Sequence, residues 1–184
     1  MRATAFFLVA LLAAPAFAQR EAVSADLSPE AAADVFRSAV TEVCVPAVTS
    51  GGVSALPEAQ RGKLRPTNDP ETRRQAGAGA DETVWDVMDG KGVVTLREKA
   101  GRCVVSVYGP AVVQTIARVA QELVGPPGFQ RMATPSVEPG GMGQTLHFSS
   151  DGRAVIVQLK GSEPGMPGHQ SRFSVVTATV FAGS

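Results

Sequence analysis

The stretch PAVVQTIARVAQELVGPPG, residues 110–128, predicts the clearest element of the chain, a helix that packs on a sheet. Pro110 begins the helix and Gly125-Pro126-Pro127 ends it, as is typical of helix starts and stops. Apolar side chains recur at helical spacing along one side, and polar ones such as Thr115 face away. The predicted apolar stripe consists of Val112, Val113, Ile116, Val119, Ala120, Leu123 and Val124.

Short runs rich in β-branched residues flank this helix in the sequence. Turn residues separate them, as in Ser150-Asp151-Gly152, which is typical of antiparallel hairpins. We therefore expect three strands before the helix and three after it. The predicted strands are 84–88, 93–98, 103–109, 144–149, 153–160 and 172–182.

An earlier helix is indicated by SPEAAADVFRSAVTEV, residues 28–43, with Ser28 as N-cap and Pro29 at its first position. Pro46 is predicted to stop it. The element order is then α-βββ-α-βββ over a single domain, 28–184. We expect an α+β fold with a mainly antiparallel sheet of about six strands and two main helices on one face.

Residues 49–81 differ in composition from the rest, with much Gly, Pro and charge and few large apolar side chains. We expect an exposed loop there, which in a compact domain is usually functional or disordered. The alternatives for its basic residues are a solvated surface or a docking site for an anionic partner. These candidate binding residues are Arg61, Lys63, Arg65, Arg73 and Arg74.

The first 18 residues have the three-part pattern of a secretory signal peptide: an early Arg2, an apolar run, and Ala16-Phe17-Ala18 before the expected cleavage. Pro15 interrupts the run well short of the roughly 20 apolar residues of a membrane span. Residues 19–27 are predicted to be a flexible leader. We therefore expect a periplasmic or secreted protein without a transmembrane segment in its mature chain.

Composition excludes several classes of function. Without Arg2 the chain carries 16 basic side chains (17 minus one) against 17 acidic ones, whereas nucleic-acid binders usually have a basic excess. Aromatic residues make up 5% of the chain, which disfavours a surface on which sugars or bases stack. We expect no nucleic-acid partner and no cofactor, and the oligomeric state stays open.

Cys44 and Cys103 are the two cysteines of the chain. In an oxidising compartment they can pair in one way only. A bridge would close a loop of about 60 residues, worth roughly 4 kcal/mol in the chain-entropy model. The alternative, a reactive thiol or a metal ligand, lacks a C-x-x-C pair or a nearby histidine. We predict a structural disulfide.

Catalytic patterns are weak. His147 is predicted to face solvent beside Ser149-Ser150-Asp151, whose composition a hairpin turn explains, and no G-x-S-x-G elbow occurs. The carboxylates Asp86, Asp89 and Glu98 lie on or near neighbouring strands, without the aromatic residues that a sugar cleft favours. A small hydrolase therefore ranks behind the other hypotheses.

A soft-metal site is the alternative binding function. Thioether and imidazole ligands suit Cu(I), and an exported protein meets copper. The candidate ligands lie in loops or hairpin arms that bracket the last strands. They are Met142, His147, Met166 and His169.

The chain resembles a group of small uncharacterised secreted bacterial proteins. The shared features are a signal peptide, a helix ending in Cys44, a strand with Trp85, and the Cys-x-Val strand that starts at Cys103. The element order is also similar to that of bacterial secretion chaperones, a similarity of shape alone. The resemblance implies no known activity. We expect a non-enzymatic exported module for protein interaction or enzyme inhibition, with an envelope protein as partner and its contacts in loops 49–81 and 161–171.

Overall fold

The computed structural model describes residues 28–87, 94–125, 128–132, 136–138, 141–150, 153–167 and 173–183. The predicted signal peptide and leader lie outside these ranges. None of the helices within them is long and apolar enough to cross a membrane.

The first helix begins as the sequence predicts and ends later. The hydroxyl of Ser28 accepts a hydrogen bond from the Ala31 amide, and Pro29 occupies the first turn. The chain then widens into a π-helical turn, and helix continues past Pro46, so the predicted stop at this proline is wrong. The i→i−5 bond from Val45 N–H to Val40 O marks the wide turn just before the proline. The three parts are α1 (Pro29–Ser38), the π turn (Ala39–Cys44) and α2 (Val45–Ser50).

The end of α2 has a clear local cause. Gly51 adopts a left-handed conformation with φ 97°, which favours glycine because it lacks a Cβ. The Gly52 amide then donates to the carbonyl of Ala47 at 2.8 Å, which satisfies a helix-terminal acceptor. Gly51 and Gly52 therefore end the helix, whereas Pro46 lies within it.

The expected exposed loop 49–81 is instead built of short elements that contribute to the core. Val53, Leu56 and Leu64 are buried, as are Thr72 and Ala76. Sparse but well-placed apolar residues are enough to fix such short elements. They are a 3₁₀ turn (Val53–Ala55), α3 (Glu58–Arg61), β1 (Leu64–Thr67) and α4 (Pro70–Gln75).

The remaining helix, α5 (Val112–Val124), lies where the sequence predicts it. Its face is rotated slightly from the expected one, because Val113 and Val124 are 51% and 39% exposed while Thr115 is buried. The hydroxyl of Thr115 is buried without a hydrogen-bond partner among the described residues.

Within the described ranges, one antiparallel sheet of nine strands forms the centre of the domain. The strand order is β1-β2-β3-β4-β9-β8-β7-β5, and β6 also pairs with β7. The α+β class and all six predicted strand positions are confirmed, whereas the count of about six is too low because β1, β5 and β6 are added. The bounds of the remaining strands are β2 (Thr83–Val87), β3 (Val94–Lys99), β4 (Arg102–Tyr108), β5 (Gln130–Arg131), β6 (Ser136–Glu138), β7 (Gly141–Ser150), β8 (Arg153–Ser162) and β9 (Val175–Ala182).

The core lies between the sheet and the helices α1, α2 and α5. Directly paired residues share a face, and Val105, Ala178 and Leu159 form one such row across the central strands. All three are fully buried in the core cluster that includes Phe36 and Ile116. We call this side the helix face of the sheet.

The helix arrangement differs from the expected one, because α4 covers part of the opposite, outer face. Tyr108 donates from its hydroxyl to the carbonyl of Gln75 at 3.0 Å, and Arg97 donates to the carbonyl of Gly77. Thr95 and Val104 are buried beneath this segment. We call residues 69–82 the strap, since they cross β2–β4 on the outer face.

The disulfide between Cys44 and Cys103 is confirmed. The two Cα atoms lie 5.4 Å apart, 59 residues apart in sequence. Both side chains are fully buried. The bond fixes the end of the π turn to β4, and it positions α1 over the middle of the sheet.

Candidate functional site

A groove of about 530 Å³ lies between α1 and the β1 end of the sheet. We call it the α1–β1 groove. It combines an apolar floor with a polar rim, and its volume falls within the usual range of binding pockets. The residues that line it are Asp34, Val35, Ser38, Ala39, Glu42, Val43, Ala59, Gln60, Lys63, Leu64, Val87 and Leu96.

One wall of the groove is a double row of side chains along α1 and the π turn. Asp34, Ser38 and Glu42 form the upper row at four-residue spacing, which brings them onto one side of the helix. The hydroxyl of Ser38 donates to the Glu42 carboxylate at 2.9 Å, so the two are neighbours. Val35 and Ala39 begin the apolar row beneath.

The floor comes from the sheet. Leu64 on β1 is paired with Val87 on β2, and Leu96 follows on β3. Leu96 is fully buried, Leu64 is 8% exposed, and Val87 is half-buried. The far wall is α3 with its following turn, where Gln60 and Lys63 complete the rim.

The groove exists because the helices do not cover the whole sheet. Eight strands at about 4.8 Å spacing span roughly 34 Å, whereas two helices of about 10 Å diameter cover about 20 Å. Helix α5 contacts β7, β8 and β9, and the π turn contacts β4 and β9. The part over β1–β3 is therefore left with space of about one helix's width.

Three charged side chains lie on the rim of the groove. Among the described residues no ion pair involves Asp34, Glu42 or Lys63. Asp34 and Glu42 are exposed on the helix side, and Lys63 is exposed on the far side. Two carboxylates thus face the groove across from one ammonium group. The buried Oε1 of Gln60 also has no hydrogen-bond partner within the described ranges.

A second cleft, of about 510 Å³, lies at the end of α2 beside the β3–β4 turn. Three of its four charged side chains, Asp81, Glu98 and Lys99, are engaged with one another or with the backbone. The ammonium of Lys99 pairs with Asp81 and holds the pKa of that carboxyl below its ordinary value. The carboxylate of Glu98 accepts the Val53 amide at 2.6 Å. This cleft therefore offers less unpaired charge than the α1–β1 groove.

The outer face of the sheet beyond the strap is mixed in chemistry. Ile156 and Phe181 are directly paired and half-buried, and Thr179 and Gln158 alternate with them. Polar and apolar side chains alternate here, so the surface is compatible with water.

The structure distributes the five candidate basic residues over several elements. Arg61 pairs with Glu58 at 2.9 Å, and Arg74 pairs with Glu71. Arg73 donates to the carbonyls of Gly79 and Glu82, so it holds the strap together. Lys63 lines the groove, while Arg65 lies on β1 opposite Asp86. The segment does not form one continuous basic surface.

The candidate copper ligands are placed in part. His147 lies on β7 opposite Ile156 and is half-buried, and Met142 lies five residues earlier on the same strand, roughly 16 Å along it. The sulfur of Met166 accepts a hydrogen bond from the Glu163 amide at 3.4 Å. His169 lies outside the described residues. Within the described ranges no group of three or more His, Cys, Asp and Glu side chains could hold a metal ion.

The candidate carboxylates for glycoside cleavage are separated. Glu98 on β3 is paired with Thr83 on β2, and Asp86 lies three residues after Thr83 on β2. Residues three apart on a strand point to opposite faces, so Asp86 and Glu98 lie on opposite faces of the sheet. Asp89 lies outside the described residues.

The sequence contained a partial signal for the groove. Asp34 and Glu42 border the apolar side of the predicted first helix. Their place in a groove depends on β1 and Leu64, which the sequence pattern did not predict.

Comparison of the chain with protein-family models, with curated proteins and with solved structures gives no match.

Proposed function

We propose that this protein is an exported, non-enzymatic binding module that takes up a polypeptide segment in the α1–β1 groove. The observation that carries the proposal is the combination in one groove of an apolar floor and rim charges of both signs that form no ion pair with any residue the structure describes. An apolar centre with a polar border is the usual composition of a protein-binding surface. The partner that we expect is a protein of the cell envelope.

The disulfide supports the exported location. A buried Cys44–Cys103 bond persists in an oxidising compartment and is rare in the cytosol. The bond also fixes the π turn, which continues the helical wall of the groove, to the sheet that forms the floor, and such preorganisation lowers the entropic cost of binding.

Site-specific photocrosslinking in the native compartment tests this function. A photoreactive amino acid replaces Ala59, an exposed helical residue on the groove rim. The matched control is Ala117, an exposed alanine on α5 that does not line the groove.

We expect a discrete protein adduct from position 59 and none from position 117. The adduct should disappear when Ala39 in the groove wall is replaced by Trp, provided that the variant keeps the wild-type circular dichroism spectrum. Equal adducts from both positions, or adducts that survive Ala39→Trp, would contradict a groove-bound polypeptide.

A further inference from the structure

We propose that the occupant of the α1–β1 groove is an amphipathic helix with two basic residues about two turns apart, which pair with Asp34 and Glu42. This inference rests on the proposed function and specifies the chemistry of the partner. It follows from the width of the groove, its charges and the nature of the adjacent strand edge.

The width favours a helix. The helices α1 and α5 lie side by side on the sheet, with a spacing that Arg37 and Glu122 bridge at 4.0 Å. A third helix would continue this layer over β1–β3, where the groove lies. Packed helices are separated by about 8–10 Å, so the roughly 14 Å of sheet that the two helices leave uncovered (about 34 Å minus about 20 Å) has room for one more helix.

The strand edge disfavours an extended occupant. β1 is an edge strand of four residues, and Pro66 within it has no amide hydrogen to donate to an added strand. Short edges with a proline are the ones that proteins use to prevent further strand pairing. A peptide that binds beside β1 must therefore satisfy its own backbone hydrogen bonds, as a helix does.

The charges set the pattern of the partner. Asp34 and Glu42 are eight residues apart, which corresponds to roughly 12 Å along a helix. Residues at positions i and i+7 of a partner helix lie on one side at about 10.5 Å, within reach of both carboxylates for long Lys or Arg side chains. Apolar residues between them would face Val87 and Leu64 on the floor.

The helical wall of the groove implies moderate affinity. Its apolar residues Val35, Ala39 and Val43 are only 5–8% exposed, so a partner helix adds little burial there. Much of the selectivity between partners must then come from the rim charges, and it should decrease with salt because ions screen exposed pairs.

The probes are synthetic helical peptides of about 18 residues, sufficient for five turns. The basic peptide has a leucine stripe with lysines at two positions seven apart on its border. An acidic peptide carries glutamates at those positions, and a third peptide has the basic composition with two central prolines that break the helix.

The readout is intrinsic. Trp85 is the one tryptophan of the chain, and it lies two residues before Val87 on the same face of β2. It is half-buried and packs against the core beside the groove. Its fluorescence therefore reports occupancy when the peptides contain no tryptophan, and fluorescence anisotropy of a labelled peptide gives an independent affinity.

The decisive variants reverse the rim charges. Asp34→Lys/Glu42→Lys should weaken binding of the basic peptide by roughly tenfold or more and give preference to the acidic peptide. Asp34→Asn/Glu42→Gln should remove the preference without reversing it. The matched control, Glu71→Lys/Glu163→Lys, changes the net charge equally outside the groove and should leave the preference unchanged.

The outcomes separate this inference from the proposed function. Reversal of preference by the groove variant alone supports a charge-matched helix. Three results would each overturn it. Two are equal affinity for the basic and acidic peptides, and a proline peptide that binds as tightly as the basic one. The third is concentration-dependent dimerisation of the protein that Asp34→Lys/Glu42→Lys abolishes. In these cases a positive crosslink from position 59 still supports a polypeptide-binding groove, and its absence rejects the proposed function as well.

Discussion

Gly161 is a residue at which β8 lies against α5 without room for a side chain. A Cβ atom there would overlap Cγ1 of Val112 and lie 2.9 Å from Cδ1 of Ile116. Its φ value is not among the left-handed ones, so the requirement is for space alone. The packing of α5 on β8 therefore depends on a small strand residue, which leaves space for Val112 and Ile116 of the helix.

We predict that Gly161→Ala lowers the free energy of unfolding by about 1–3 kcal/mol, because overpacking forces helix and strand apart. The double variant Gly161→Ala/Val112→Ala should cost less than the sum of the single variants, since the overlapping methyl groups are removed. Urea denaturation of the four proteins measures this coupling. Strictly additive effects would mean that the two residues do not meet.

The cysteine pair has a thermodynamic consequence that follows from loop length. We predict that Cys44→Ala/Cys103→Ala lowers the free energy of unfolding by about 4 kcal/mol, because the bond closes a loop of about 60 residues. Reduction of the wild-type protein should produce the same loss in urea denaturation, which makes it the control. An unchanged midpoint after complete reduction would contradict a stabilising bond.

The strap is the element that the sequence patterns predicted least well. Its few apolar side chains gave it the appearance of a loop, but it is fixed by polar contacts to residues distant in sequence. Arg97 on β3 pairs with Glu82 at 3.2 Å and donates to the carbonyl of Gly77. Such contacts have no local periodicity, so they are not visible before the strands are placed.

We predict that Tyr108→Phe destabilises the strap. The variant removes the hydrogen bond to the carbonyl of Gln75, which is part-buried, at a cost of about 1–2 kcal/mol. Amide hydrogen exchange should rise in residues 70–82, while that of α5 is little changed. Uniform acceleration in both elements would instead indicate that the strap and the core unfold together.

The pH dependence of α4 is predicted from its N-cap. The Asp69 carboxylate accepts hydrogen bonds from the amide and hydroxyl of Thr72, which lower its pKa below the ordinary value of 3.8. A lowered pKa in the folded state adds stability above the unfolded pKa, and this stability is lost as the pH falls through the folded pKa.

Asp69→Ala should therefore cost about 1 kcal/mol near neutral pH and progressively less below about pH 4. Asp69→Asn keeps an acceptor that does not titrate, so its stability relative to the alanine variant should stay constant. Chemical denaturation between pH 3 and pH 7 measures both differences. A cost of Asp69→Ala that persists unchanged at pH 3 would contradict the role of the ionised cap.

At the level of the whole domain, the sequence was sufficient where one local signal dominates. Most of the longer strands contain several β-branched residues, and α5 has a regular apolar stripe between Pro110 and Gly125. Local patterns failed at β1, because Arg65 and Pro66 are not typical of a strand. The strand forms because Leu64 packs on the core. They also failed at Pro46, because the π turn before it accommodates the proline.

The groove lies beyond sequence patterns for a related reason. It results from the difference in width between a sheet eight strands wide and two helices, and that difference depends on β1 being present. Asp34 and Glu42 look like ordinary solvent-facing residues until the opposite wall is known.

The most direct test of a binding site in the α1–β1 groove is nuclear magnetic resonance mapping of the basic helical peptide on the protein labelled with nitrogen-15. We predict chemical-shift changes concentrated at Ser38, Glu42, Gln60 and Lys63, with Thr177, Thr179 and Phe181 on the outer face unaffected. Changes centred on that outer face or on the cleft around Gly101, or no changes at saturating peptide, would contradict a binding site between α1 and β1.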